Sequence, residues 1–268
     1  MPTGIYIGVA VGGGGGSSEG AEPSPSSGFK FNMETSNTSA GSSGATSFKL
    51  PLGSTGTYNF EVDWGDGSSD TITAYNQSEV THTYGSSGSY LVEITGTCEY
   101  FSFGNGGDKL KILDVENWGG TNLTISARYA FWGCTNLTCS ATDSPTVSGD
   151  IGFTFKQCPA LVSGLAGWDM SNVTSLISFL SYATTFNEDI SGWNISGVTT
   201  FSNFLRAVSS FSTANYDALL IGWSAQAVQT SVTFTCNTRY TSGGTAEAAR
   251  TTLASSPQNW SITDAGAA

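Results

Sequence analysis

The residue types from which nucleophilic or metal chemistry would be built are scarce in this chain: one histidine, His82, and five cysteines, Cys98, Cys134, Cys139, Cys158 and Cys236. A serine hydrolase needs its histidine beside a nucleophile raised on a sharp strand-to-helix turn of the G-x-S-x-G kind. No such pattern is found around a strand-to-helix turn. A structural zinc site needs cysteines paired at C-x-x-C spacing, and none are so paired. Two carboxylate pairs stand out. Asp63 and Asp66 flank Trp64-Gly65, and Glu188 adjoins Asp189. Paired carboxyls can serve a glycosidase when held about 5–9.5 Å apart. Asp66-Gly67, however, reads as turn chemistry, with Asp bonding its own backbone and Gly taking positive φ. Glu188-Asp189 falls in a surface loop between repeats. Asp63, Asp66 and Asp70 together would offer hard oxygens to calcium, but their spacing fits no defensible loop. The expectation is therefore no catalytic, cofactor-binding or metal residue, with His82 packed or hydrogen-bonded inside a β-sandwich. Trp118, Trp168, Trp193 and Trp223 recur near repeat junctions. Exposed, they would form a strip for stacking sugar rings; as repeating core aromatics they would be buried, which is the ordinary expectation.

The elements that would position these residues follow from composition and spacing. Charged residues are 11% of the 268, against a usual ~25%. The net charge of −12, from 9 basic and 21 acidic side chains, argues against nucleic acid and anionic membranes as partners. No apolar run reaches the ~18–20 residues of a membrane span. Low charge with abundant Gly, Ser, Thr and aromatics suits an extracellular or virion-surface β-rich protein. The short apolar stretch at the start has no Lys or Arg before it and no clean small-residue cleavage site after it, a poor secretory signal. This favours a virion protein assembled in the host cytoplasm.

Four regions are expected. Residues 1–46, rich in Gly and Ser, read as a flexible anchor and linker. Within them Ile5, Tyr6, Ile7, Val9 and Val11 alternate at strand spacing and are the candidate assembly anchor. Residues 47–97 carry short alternating strands, such as Phe60, Val62 and Trp64 running into Gly65-Asp66-Gly67, and read as a small sandwich. Residues 98–211 contain internal repeats. Four apolar ladders share one register of 24–26 residues: Leu123, Val147, Val173, Val198; Phe131, Phe155, Leu180, Leu205; Cys134, Cys158, Ala183, Val208; and Leu137, Leu161, Phe186, Phe211. Within a repeat, Leu176, Phe179, Leu180 and Ala183 have helical spacing, as do Phe201, Phe204, Leu205 and Val208. Each unit is thus expected to be one short helix and one short extended segment, stacked into a solenoid. Cys134 and Cys158 occupy a slot filled elsewhere by Ala183 and Val208, so they read as buried thiols, with a disulfide between neighbouring repeats left open. Residues 212–268 lose the register and read as a C-terminal cap.

The segments FEVDWGDGSSDTI and VTHTYGSSGSYLVEITG resemble a PKD domain, an Ig-like sandwich. AFWGCTNL and WDMSNVTSLISFLSYATTFNEDISGWNISGVT resemble the BspA-like leucine-rich repeats of bacterial surface proteins. RYTSGGTAEAARTTL with NWSITDAG is similar to the cap found on such arrays. The W-D/N-x-S-x-V-T signature occurs in only two repeats, at Trp168 and Trp193. The resemblance implies a multidomain α+β chain: a PKD-like β-sandwich, then a leucine-rich-repeat-like α/β solenoid with a C-terminal cap. It implies recognition without enzymatic activity. The expected function is a bacteriophage virion surface protein, a capsid decoration or fibre subunit. Its partners would be virion proteins or sister subunits and a host cell-surface glycan, with many copies per particle. The alternative is a secreted bacterial cell-surface adhesin.

Overall fold

The computed structural model describes residues 28–126 and 128–268. The strands are β1 (Phe29–Glu34), β2 (Ser47–Lys49), β3 (Tyr58–Asp63), β4 (Ser69–Ile72), β5 (Thr81–Thr83), β6 (Ser89–Cys98), β7 (Ile112–Asn117), β8 (Thr124–Ile125), β9 (Thr138–Cys139), β10 (Thr146–Val147), β11 (Gly149–Asp150), β12 (Val173–Ser175), β13 (Phe201–Leu205), β14 (Thr233–Cys236) and β15 (Ser261–Thr263). The two helices are α1 (Thr213–Ser224) and α2 (Thr245–Ala254). The described chain is thus mostly β, with several small sheets, none of which closes on itself.

The N-terminal half is organised by a six-stranded sheet in the order β4-β3-β6-β1-β7-β9. Alternation decides its inner face. Phe29, Phe31 and Met33 of β1, Val62 of β3, and Val92 and Ile94 of β6 are fully buried, while Lys30, Glu61 and Glu93 between them lie on the other face. The small β2–β5 pair packs on the inner face, bringing Phe48 to 5.7 Å from Phe31, ring centroid to centroid.

Two sequence expectations need correction here. Residues 29–34, expected as part of a flexible linker, form a strand hydrogen-bonded on both sides, to β6 and to β7. The physical reason is local: three large apolar side chains at period two outweigh a Gly- and Ser-rich neighbourhood. In addition, the sheet does not stop at residue 97. β7 pairs antiparallel with β1 and parallel with β9, which belongs to the repeats. Trp118 seals the joint, stacked 6.0 Å from Phe29 and edge-on 5.6 Å from Phe131. The expected anchor residues Ile5, Tyr6, Ile7, Val9 and Val11 lie outside the described residues.

From residue 123 to 211 the chain runs as stacked turns. On one side, short parallel pairings join successive repeats, β8 to β10 and β11 to β12, with a bridge from Ser175 to Thr200. All sixteen ladder residues are buried, none more than 4% exposed. The expected helix in each repeat is absent. Segments 128–133, 152–157, 177–182 and 202–207 contain no α-helix. Each carries two residues of positive φ, four apart: Tyr129 and Gly133, Phe153 and Gln157, Ser178 and Tyr182, Asn203 and Ala207, with φ between 54° and 80°. Alternating hand points N–H groups of one segment towards the next instead of along its own axis. Accordingly Tyr129, Phe131 and Gly133 donate to Gly152, Thr154 and Lys156. Phe153, Phe155 and Gln157 donate to Ile177, Phe179 and Ser181, and Ser178, Leu180 and Tyr182 to Ser202, Phe204 and Arg206, all at 2.8–3.2 Å. Stacking replaces the intrahelical bond.

The C-terminal region closes this stack. β13, β14 and β15 form a parallel sheet, α1 buries Tyr216, Leu219, Leu220 and Trp223, and Ser212 caps α1 by accepting from the Asn215 amide at 3.2 Å. Asp264 ties the elements together, accepting from Tyr216 (2.8 Å) and Arg250 (2.6 Å). Both α-helices of the described residues lie in this region.

Candidate ligand-binding face

Every group singled out for chemistry is accounted for by folding. His82 Nε2 lies 2.9 Å from Asp66 Oδ2, and the same nitrogen lies 3.5 Å from Ser68 Oγ. In a hydrolytic triad the carboxylate and the nucleophile occupy opposite ring nitrogens; here both crowd one, so the imidazole has no free base to offer Ser68. The arrangement locks a turn. Asp66 also accepts from the Ser68 amide (3.0 Å). Although burial opposes ionisation of Asp66, the hydrogen bonds from Ser68 and His82 outweigh it and hold its carboxyl down at about 2. Trp64 stacks on the His82 ring at 4.8 Å and Tyr84 meets it edge-on at 4.5 Å. Gly65, at φ 80°, fits the turn because a Cβ there would sit 2.4 Å from the Leu91 carbonyl oxygen.

The remaining carboxylates are similarly engaged. Asp63 accepts from Gly65 N and Asp70 from Trp64 Nε1, both at 2.8 Å. Glu188 accepts from Leu165 N (2.8 Å) and Asp189 from Ser191 N (2.9 Å). Among the described residues, no three of His, Cys, Asp and Glu are grouped to hold a metal ion. All five cysteines are free. Burial pushes the Cys134 and Cys158 thiols up, and Cys98 and Cys139 to about 12. Trp118, Trp168, Trp193 and Trp223 are core residues, at most 3% exposed; they cannot stack on a ligand.

One buried ion pair escaped the sequence reading. Asp108 and Lys111 have fully buried side chains 3.4 Å apart. Asp108 accepts from Ser43 N (2.7 Å) and Lys49 N (2.6 Å), and Lys111 donates to the Gly44 and Ser47 carbonyls at 2.8 and 2.7 Å. Burial lowers the Lys111 pKa, against the opposing pull of Asp108. The pair fastens the 43–49 segment to the start of the stack.

What remains available lies on the outer side of the positive-φ turns. Tyr129, Trp132 and Phe153 form a partly exposed aromatic cluster, with centroids 5.4 Å (Tyr129–Trp132), 5.0 Å (Tyr129–Phe153) and 6.2 Å (Trp132–Phe153) apart. Two repeats on, Tyr182 is 40% exposed. Cations sit over these rings. Lys156 Nζ is 4.9 Å from the Trp132 centroid and 5.1 Å from that of Phe153, and the Arg128 and Arg206 guanidiniums are 5.7 Å from Phe153 and Tyr182. Gln157 accepts from Trp132 Nε1 at 2.8 Å. At the N-terminal end of the row, Asn105, Lys109, Gly133 and Gln157 line a shallow cleft of about 590 Å³. Bulky residues with positive φ are uncommon, and Tyr129, Phe153 and Tyr182 hold this conformation while showing part of their rings to solvent. None of these residues was among the sequence candidates. The available signal was that the four turn segments hold three of the nine basic residues and no Asp or Glu.

Residues 125–241 match the model of a family described as "Mycoplasma protein of unknown function, DUF285". The chain is similar to that family over this span. The span holds the whole turn face and ends within the C-terminal region, covering somewhat under half of the chain. Comparisons with curated proteins and with solved structures give no match.

Proposed function

We propose that this chain is a non-enzymatic surface-display protein that binds a ligand on the outer turn face of its repeats. In this reading the N-terminal half is a PKD-like, Ig-like sandwich that acts as a spacer. The stack is a BspA-like leucine-rich-repeat solenoid, and residues 212–268 are its cap. The observation that carries it is the partition of aromatics: ladder rings and the four recurring tryptophans are buried, whereas Tyr129, Trp132, Phe153 and Tyr182 are shown to solvent in one row beside Lys156 and Arg206. A core does not require that row; a binding surface does.

The first reading places the chain on a virion, as a capsid decoration or fibre subunit held by its N-terminal segment. Five unpaired cysteines suit a protein that folds in a reducing cytoplasm. The second reading, a bacterial cell-surface adhesin, draws on the similarity of residues 125–241 to the DUF285 family, described as a Mycoplasma protein. Immunogold labelling and mass spectrometry of purified virions, beside surface proteolysis of intact bacteria, separate the two. Whole-cell binding by the purified chain tests the shared reading. Binding unchanged by W132A and Y182A together would refute the turn face as the binding surface.

A further inference from the structure

The turn face has a chemical character that specifies its ligand further, and the following rests on the binding reading just given. We propose that it takes a carboxylate-bearing polysaccharide, laid along the stack axis so that sugar rings meet the aromatic row and acid groups meet Lys156 and Arg206.

The first argument is charge. The chain carries 21 acidic against 9 basic residues, so a ligand of uniformly dense negative charge is repelled by most of the surface. The four turn segments invert this locally, with Arg128, Lys156 and Arg206 and no carboxylate. Lys109 extends the row at the cleft, its side chain beside Gly133, where an added Cβ would lie 3.2 Å from Lys109 Cδ. Arg128 is paired with Asp150. Among the described residues, Lys156 and Arg206 have no carboxylate within ion-pair distance, and rings hold both in place. A cation seated on an aromatic face and left without a counter-ion is positioned for an anion brought by a ligand.

The second argument is spacing. Hydrogen-bonded neighbouring segments lie about 4.8 Å apart, so Lys156 and Arg206, two repeats apart, are separated by about 10 Å along the axis. The intermediate repeat offers Tyr182, 40% exposed, as a ring. An extended polymer of pyranose units acidic at every second unit meets a cation, a flat apolar ring and another cation in turn. Nucleic acid places a charge at every nucleotide, more than Lys109, Lys156 and Arg206 can answer. A neutral glycan leaves both cations without a partner.

The test is affinity electrophoresis and titration calorimetry of the full chain with hyaluronan and polygalacturonate, and with dextran as the neutral probe. Mobility should fall in hyaluronan, acidic at every second unit, fall less in polygalacturonate, acidic at every unit, and stay unchanged in dextran, with the effect weakening as salt rises. The double variant K156Q/R206Q should weaken binding roughly tenfold, on the scale of two exposed ion pairs with their ring contacts. W132A should weaken it as well, while R239Q, a cation of the cap, should not. Thermal unfolding of each variant checks the fold. No retardation by either acidic polymer, equal retardation by dextran, or an R239Q loss as large as the double variant's would each overturn the proposal. A chain that binds whole cells through Trp132 and Tyr182 yet ignores both polyuronates refutes this ligand class while leaving the binding reading intact.

Discussion

Replacing Ala207 by glycine should stabilise the protein, although the sequence pattern predicts the opposite. The apolar spacing of Phe201, Phe204, Leu205 and Val208 places Ala207 inside a helix, where Ala→Gly costs about 1 kcal/mol. In the structure Ala207 has φ 58°, and an L-residue there carries a penalty of roughly 1–2 kcal/mol that glycine does not. Against that gain stands the extra freedom of glycine in the unfolded chain, about 0.4–1 kcal/mol. The two combine to a net stabilisation of about 0.5–1 kcal/mol, or roughly 1–4 °C in Tm for a chain of this size. Ala207 N donates to Asn237 Oδ1 at 2.7 Å, a bond that glycine keeps. Ala183, one repeat earlier, is the internal control: fully buried and outside the positive-φ positions, it should lose about 1 kcal/mol or more as glycine. Urea unfolding monitored by tryptophan fluorescence, with equal m-values for both variants, gives the two signs directly. Destabilisation of A207G by about 1 kcal/mol would refute the mixed-handed turn and restore the helix.

Further outcomes follow from other parts of the molecule. A fragment beginning at residue 28 should fold, whereas one beginning at residue 47 should not, because it lacks Phe29, Phe31 and Met33 from a strand paired on both edges; circular dichroism and proteolysis of the two read this out. K111A should cost about 3–5 kcal/mol in chemical unfolding by stranding Asp108, and the paired change D108L/K111M much less. For Asp66, whose carboxyl is held at about 2 against an ordinary 3.8, ionisation stabilises the fold above pH 3.8. That contribution is lost as pH falls through 2, so the stability deficit of D66N should be full at neutral pH and shrink across this window. In the native state all five thiols should resist an aromatic disulfide reagent and react together only on unfolding, since burial raises their pKa values; fewer than five reactive thiols in the unfolded chain would reveal a disulfide.

The ladders were legible because a buried position must be refilled with an apolar side chain at every turn of the stack, so Phe131, Phe155, Leu180 and Leu205 announce themselves by spacing alone. The turn geometry was not legible for a related reason. Apolar residues at i, i+3, i+4 and i+7 mark one side of any tightly wound backbone, and the conformation that distinguishes this one has a glycine at only one of its eight positions. That glycine, Gly133, suits its φ of 80° and packs close against the Asn105 side chain. Gln157, Tyr182 and Ala207 carry no such cue. β1 was hidden by averaging, because Phe29, Phe31 and Met33 were read together with the Gly- and Ser-rich residues around them. The tryptophans drew attention by type, but those that repeat are the ones the core consumes. The outward aromatics are scattered over different positions of the repeat, so no ladder exposes them.

The direction of the bonds between turns has an electrical consequence. In an ordinary sheet the peptide dipoles of neighbouring groups alternate and nearly cancel. In the turn column each of the nine N–H groups named above donates towards the C-terminal end. Their dipoles therefore add, as in a helix, but along the axis of the stack and across covalently distant segments. One end of the column presents carbonyl oxygens and the other amide hydrogens, and the Asn237 carboxamide oxygen that accepts from Ala207 stands where the positive end would otherwise face solvent. An array of this kind has a polarity that grows with every repeat added. A duplicated repeat can extend it only in the same orientation, and the group that terminates it must be an acceptor.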